Sequence, residues 1–517
     1  MRGALGLALA VVVAALALDL HATLRAFDPS EAAHAIASLT EGLARPDLST
    51  QALGRASGLA LDTVAIAVVG TAGGGMLGLL LAIAAASTTA VSRPSPIHRA
   101  LGSTLRMGMD AIRALPDFAW ALAILIVLGP GAVTGTLAIA VSVAGILGRA
   151  FTRLLDDVPS RSVAVLEASG ASAVVRVIYG RLPHIRAAGW SYALARLECS
   201  MRNASVIGIV GGGGLGAELF EELGYGRMDR VATLLLALVA VTASADAGST
   251  LLRIRALHRR SLVHPAFALV LLAGLVLLPT LRNVVLHLRA VDPGFMVQTV
   301  ARLLQPELSQ STMRAAVTGL GAPLSLAFLS TLIASAVALG VLPWTSRVIR
   351  TRARGPAADP SAPALLIAVA VRSSALLLRA VPEVAWLLLF AAALRMGTLP
   401  ALLALSVHGI GVLIRLFTEA LDDARMPAPR TGPGFGAAWL AYDAVPRLHT
   451  TLGTHAALQG ESHLRTAFTL GIVGAGGIGD AFHTAVGFWQ LERAATLGLT
   501  MVLAFIVVDR FVRRLAR

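Results

Sequence analysis

Two acid–base pairs stand in stretches apolar enough to cross a bilayer, Glu198 with Arg202 and Glu461 with Arg465. Each pair is spaced i, i+4, so on a helix the two side chains share a face and partly neutralise one another. Ionisable side chains at membrane depth are expensive and mark candidate functional sites. Two uses fit the spacing. One is a structural ion pair buried between helices. The other sets Arg202 and Arg465 beside a central pathway, where a guanidinium fork bonds two oxygens of a phosphate-like anion. Downstream, Gly211, Gly213 and Gly216 follow the spacing G-x-G-x-x-G, and Gly474, Gly476 and Gly479 repeat it. That spacing signals a dinucleotide site only after a buried strand in a βαβ unit. Here it follows membrane helices. It reads instead as a re-entrant turn or close helix approach at the outer end of a pathway, serving as gate or as packing.

Other chemistry is excluded. The sequence has no lysine, so it cannot supply a P-loop of the form G-x-x-x-x-G-K-[ST]. No cofactor is expected in this chain. The twelve histidines show no H-E-x-x-H or other ligand spacing; no metal site is expected, and His408 reads as a packed or interfacial side chain. Cys199 is the sole cysteine, so there is no disulfide. No nucleophile–base arrangement is present, and the chain does not read as an enzyme.

The elements that must position these residues are membrane helices. Of 517 residues, 56% are hydrophobic and 14% charged, and the mean hydropathy is +0.76; soluble chains average roughly 45–50% apolar and about 25% charged. The net charge of +14 does not signal nucleic acid, because the arginines lie in short loops between apolar runs, as membrane topology requires. Runs of spanning length, roughly 17–25 residues, lie near 4–20, 60–86, 114–128, 131–148, 188–210 and 231–252, and again near 265–281, 320–342, 376–394, 400–416, 449–472 and 494–510. The first could be a signal peptide. However, the internal run at 265–281 leads into Leu288-Arg289-Ala290-Val291-Asp292-Pro293, which mirrors Leu24-Arg25-Ala26-Phe27-Asp28-Pro29. Both are first helices of a repeat.

The repeat holds register over most of the chain. At an offset of 266, Pro116, Trp120, Gly145, Arg149, Phe151, Thr152, Asp156 and Asp157 fall on Pro382, Trp386, Gly411, Arg415, Phe417, Thr418, Asp422 and Asp423. At an offset of 263, Tyr179, Pro183, Glu198, Arg202 and Gly208 fall on Tyr442, Pro446, Glu461, Arg465 and Gly471. The predicted architecture is an all-α polytopic membrane protein of about twelve transmembrane helices, in units 1–260 and 261–517. Six helices per unit is an even number, so the repeats are parallel. Arginine-rich loops are cytoplasmic. That places both termini and the 153–187 loop in the cytoplasm, and the glycine turns outside.

Within 153–187, Ala164, Val165 and Ala168, then Ala171, Val174, Val175 and Ile178, are spaced for an amphipathic helix. Gly170 interrupts it, and Leu182-Pro183 is expected to end it before the next span. Such a helix suits a groove on a soluble partner; an interfacial helix lying on lipid is the alternative.

Glu167-Ala168-x-Gly170 with Leu182-Pro183 downstream resembles the EAA loop of ABC importer permeases. The series Leu-Glu-Ala-Ser-Gly-Ala-Ser, Tyr-Gly-x-Leu-Pro, Arg-x-Glu-x-x-x-Arg-Asn-Ala and Val-Gly-Gly-Gly-Gly-Leu-Gly is similar to the permeases of phosphonate and related phosphorus-oxyanion importers. The resemblance is strong from 110 to 255 and weak over the first two helices. It implies a fused pair of permease units in a bacterial inner membrane. It also implies ABC ATPase subunits, two of them, docking on the Glu167 loop, and a periplasmic substrate-binding protein at the glycine face. The second unit departs from the pattern at 419–448: Arg430 stands where Glu167 does and Pro433 where Gly170 does, with prolines at 427, 429 and 433 that oppose a helix. A remodelled second coupling loop is expected. A twelve-helix secondary transporter of a small anion, or a membrane scaffold without transport, are the other readings; the former has no use for an ATPase dock.

Overall fold

The computed structural model describes residues 37, 40–88, 95–115, 117–159, 161–258, 286, 292–346, 362–424 and 439–515. Among the described residues there are helices and turns and no strand. The chain is an all-α polytopic membrane protein. Six of these helices are long and apolar enough to cross a membrane, and two bent pairs add two more if each is one span. The two more polar 26-residue helices Leu182–Ile207 and Val445–Leu470 occupy the places of the spans expected at 188–210 and 449–472. Six, two and two account for ten of the twelve expected spans. The other two, at 4–20 and 265–281, fall outside the described residues.

The chain packs as two compact units that divide at Glu41/Gly42 and at Gln305/Pro306. The first unit holds α1 (Thr50–Ser87), α2 (Pro96–Ala114), α3 (Asp117–Leu128), α4 (Ala132–Asp156), α5 (Arg161–Ala168), α6 (Leu182–Ile207), α7 (Leu215–Gly224), α8 (Met228–His258) and α9 (Pro293–Leu303). Helix α9 comes from the second sequence repeat, yet it packs against α3 of the first unit. Packing unit and sequence repeat therefore do not share a boundary.

Helix α1 has 38 residues, about 57 Å at roughly 1.5 Å per residue, and it is the spine of the unit. It packs along α4 through Gly70, Gly74 and Gly78, one every four residues. A Cβ at Gly74 would strike the Ala140 carbonyl, and one at Gly78 would strike the backbone of Gly148 and Ala144. In lipid, where apolar side chains gain little by leaving the solvent, close backbone approach through small residues is what holds helices together. Around this seam Ile66, Ile139, Val143, Leu147 and Leu155 are buried.

Helices α2 and α3 meet at 90°, at the position of Pro116 in the sequence, where proline cannot continue a helix. The bend is pinned from inside: Trp120 Nε1 donates to the Ile112 carbonyl at 3.0 Å.

The second unit holds α10 (Gln310–Gly319), α11 (Gly321–Thr345), α12 (Ala362–Ala380), α13 (Glu383–Leu394), α14 (Thr398–Asp423), α15 (Val445–Leu470), α16 (Ile478–Gly487) and α17 (Leu491–Leu515). It repeats the same devices. Helices α12 and α13 also meet at 90°, Pro382 caps α13 with extended backbone, and Trp386 Nε1 donates to Leu378 O at 3.2 Å. Ala334 and Ala338 are fully buried in the α11–α14 core. One expected span, 376–394, is thus two half-helices rather than a single rod.

Candidate functional site

The Glu167 loop is a closed structure. Helix α5 ends at Ala168, and Gly170 turns the chain with φ +77, a left-handed conformation open to glycine. Glu167 reaches across the turn to Arg176 at 2.8 Å, while Arg176 Nε donates to Ala171 O at 2.8 Å. A helical turn at Ala173–Val175 and a π-turn at Arg176–Arg181 then run straight into α6. Leu182-Pro183 therefore begins α6 rather than separating the loop from it: Pro183 sits in the first turn, where its missing N–H costs no hydrogen bond.

Two faces of this loop differ. Val163 and Val177 point inward and are buried, whereas Val165 is 74% exposed and Tyr179 70% exposed, with Val174, Val175 and Ile178 beside them in sequence and also exposed. Arg181 fixes the loop to the body: it is buried, donates to Ala86 O at the end of α1 (3.4 Å) and pairs with Asp156 at the end of α4 (3.5 Å). Burial lowers the pKa of its guanidinium and Asp156 opposes that shift. Asp156 also holds Arg106 at 3.1 Å, and Arg106 donates to Ala85 O. In the second unit Arg372 donates to Thr345 O and pairs with Asp422 at 3.1 Å in the same way. The repeat of Asp156 in Asp422 is therefore a repeated clamp. Residues 425–438, including Arg430 and Pro433, lie outside the described residues; Tyr442, the counterpart of Tyr179, is 86% exposed.

Glu198 of the first unit and Arg465 of the second face the last long helix of their units. Glu198 accepts from Ser249 Oγ of α8 at 3.3 Å. Glu461 and Arg465 pair at 3.5 Å, and the Arg465 guanidinium lies 4.7 Å over the Phe505 ring of α17. Arg202 Nε is buried without a hydrogen-bond partner among the described residues.

A second polar centre escaped the sequence reading. Asp117, the first residue of α3, receives Arg196 of α6 at 2.9 and 3.2 Å, together with Asn203 of α6 and Ser142 of α4. The available signal was Arg196, two residues before Glu198 in the same membrane helix, but its partner is 79 positions away and no local spacing shows it.

Both glycine motifs are tight turns that fold the chain back against the preceding helix. After a π-turn at Gly208–Gly212, Gly213 and Gly214 take φ +78 and +74 and send the chain back as α7. Gly216 then lies so close to α6 that a Cβ there would collide with the Ser205 carbonyl. Gly211 O accepts from Gly131 N at 2.7 Å, and Leu215 N donates to Thr63 Oγ1 at 2.9 Å. Gly474, Gly476 and Gly477 repeat the positive φ values, and Gly479 repeats the close approach, here to Phe468 O.

At this end of the first unit Glu218 holds Arg55 at 2.6 Å and Glu222 holds Arg227 at 2.5 Å. A groove of about 480 Å³ between α1, α4 and α6 is lined by apolar side chains such as Met76, Phe151 and Trp190, with Arg186 at its edge.

The chain is thus a duplicated helical membrane protein with broken spans, tight glycine turns and an exposed amphipathic loop. The family described as binding-protein-dependent transport system inner membrane component matches residues 78–257. A phosphite transport system permease of Stutzerimonas stutzeri is 30% identical over 193 residues, 37% of this chain and 68% of that one. A phosphate-import permease of Mycolicibacterium smegmatis is 26% identical over 497 residues, covering 92% of this chain and 86% of its own, so both repeats match one relative. A putative cryptic phosphonate transport system permease of Escherichia coli is 31% identical over 107 residues, 20% of this chain and 88% of that one. No solved structure matches the chain. The chain belongs to the binding-protein-dependent family of inner-membrane ABC importer permeases, and it is a multi-pass inner-membrane protein.

Proposed function

We propose that this chain supplies both membrane halves of an ABC importer that carries phosphonate, phosphite or phosphate inward. Relatives named for the transport of phosphite, phosphate and phosphonate carry that reading. The chain itself binds no ATP; separate ABC ATPase subunits, one for each unit, drive it. Both termini and the Glu167 loop face the cytoplasm, as the arginine distribution requires. ATPase closure is received at Val165, Glu167 and Tyr179 and passes through Arg181 to the ends of α1 and α4. Ala168, Gly170, Leu182 and Pro183 shape that receiver.

Arg202 and Arg465, each with its acid Glu198 or Glu461, draw the anion through the pathway. Guanidinium suits an oxyanion because it is always charged and bonds two oxygens at once. Gly211, Gly213 and Gly216, with Gly474, Gly476 and Gly479, form the outer gate, where a periplasmic binding protein delivers substrate. The charge cluster on Glu218 and Glu222 belongs to the first unit alone, since Ala481 and Ala485 stand at the matching positions; the binding protein therefore meets two unlike faces.

Uptake into proteoliposomes holding this chain, its ATPases and its binding protein should be measured with phosphonate, phosphite and phosphate in turn. At least one is expected to be taken up, and only with ATP. Failure of all three, with the binding protein docking normally, would exclude the substrate class.

A further inference from the structure

We propose that the two membrane arginines are unequal: Arg202 of the first unit is open and takes the phosphorus oxyanion first, while Arg465 of the second is closed by its own acid. This rests on the reading of the chain as an oxyanion importer and adds an order to it. The repeat register sets Glu198, Arg202, Ser205, Thr242 and Ser249 of the first unit against Glu461, Arg465, Phe468, Phe505 and Val512 of the second. The acid and the arginine are kept in both. The other three positions are polar in the first unit and apolar in the second.

Each difference bears on the arginine. In the second unit Val512 has no side-chain hydrogen bond to donate, and Glu461 pairs with Arg465 at 3.5 Å. The Arg465 guanidinium carbon lies 4.7 Å from the centre of the Phe505 ring, an attraction that strengthens away from water. Arg465 is therefore engaged both along an N–H edge and over a face. In the first unit Ser249 Oγ donates to Glu198 at 3.3 Å and draws the acid toward α8. Thr242 stands where Phe505 does, and its hydroxyl is spent on the Leu238 and Val239 carbonyls of its own helix. Arg202 makes no ion pair, hydrogen bond or ring contact among the described residues. Arg196, on the same helix, is no substitute, because Asp117 takes it.

Buried polar groups are nearly always hydrogen-bonded, so an orphan needs an explanation. Arg202 Nε is such an orphan, and so is Ser205 Oγ, three residues on and on the same side of α6. A guanidinium fork with a hydroxyl one turn along suits a tetrahedral oxyanion, which offers several oxygens to donors. Arg465 Nε is buried without a hydrogen-bond partner too, but no hydroxyl accompanies it: Phe468 stands at the place of Ser205 and is fully buried. Arg465 takes the anion along its paired edge only after the contact with Glu461 opens. Glu198, one turn before Arg202, brings a negative charge that limits how tightly the anion is held, as passage requires.

An anion that binds only the folded chain raises its Tm in proportion to the logarithm of saturation, so the concentration needed for a fixed rise scales with Kd. The full-length chain in detergent, without ATP, should be titrated with inorganic phosphate, phosphite and methylphosphonate at constant ionic strength. For the anion that stabilises the wild type most, Arg202→Gln is expected to raise that concentration at least tenfold, and Arg465→Gln less than threefold. Arg202→Lys keeps the charge and loses the fork; it should fall between wild type and Arg202→Gln, and it decides where Arg202→Gln does not fold. Equal losses in the two glutamine variants would overturn the inequality and leave both arginines in the pathway. A wild type stabilised by none of the three anions, or an Arg202→Gln chain that binds as the wild type does, would also overturn it. ATP-driven uptake by the wild type separates the two readings: where it is present, the importer stands even if the inequality falls.

Discussion

Arginine does two different jobs at the depth of the membrane. Arg196 is consumed by Asp117, with both carboxylate oxygens engaged, and it ties α6 to the first residue of the half-helix α3. Removing either partner would strand a buried charge, at about 3–5 kcal/mol. Arg465 lies toward α17, and Glu198, one turn before Arg202, lies toward α8. Arg465 stacks its flat face on Phe505, which leaves the N–H edge as its means of holding an anion. Replacing both, Arg202→Gln with Arg465→Gln, should lower the initial rate of oxyanion uptake at least tenfold, with ATPase docking unchanged. If the folded double variant transports at the wild-type rate, these pairs serve packing alone.

At the scale of elements, the two glycine turns and the two bent spans carry the shape of each unit. The turns work by contact rather than by freedom alone: Gly216 admits the Ser205 carbonyl of α6, and any side chain there must push α7 away. Gly216→Leu should therefore lower Tm by several degrees and abolish uptake, whereas Gly224→Ala, a glycine with open space at its Cβ, should change neither. Equal effects at the two positions would remove the close approach from the account of the turn.

Much of this level was legible in the sequence. Spacing alone showed the repeat, the helical membrane class, the amphipathic segment around Glu167 and the glycine runs as turns or close approaches, because each rests on local pattern. The 90° breaks between α2 and α3 and between α12 and α13 were not seen as breaks, since an apolar run reads alike whether straight or folded. Leu182-Pro183 reads as a stop because the residue before a proline is biased away from helix, but the same proline fits the first turn of a new one. The Asp117 centre was invisible for a plainer reason: its partners come from other helices.

For the whole molecule, duplication has preserved the scaffold and let the chemistry diverge. Trp120 and Trp386 pin the same bend, and Asp156 and Asp422 hold the same clamp. The charge cluster on Glu218 and Glu222 and the Glu167 sequence belong to the first repeat alone. A fused chain permits this, because its halves are free to specialise where a homodimer's are not. The most direct test of the proposed mechanism is ATP-driven uptake in proteoliposomes by the wild type and by Glu167→Ala combined with Tyr179→Ala, with ATPase association measured alongside. The wild type should import a phosphorus oxyanion only with ATP, and the variant should lose uptake and weaken ATPase binding severalfold while its Tm holds. Uptake that proceeds without the ATPase, or that is untouched in the variant, would contradict it.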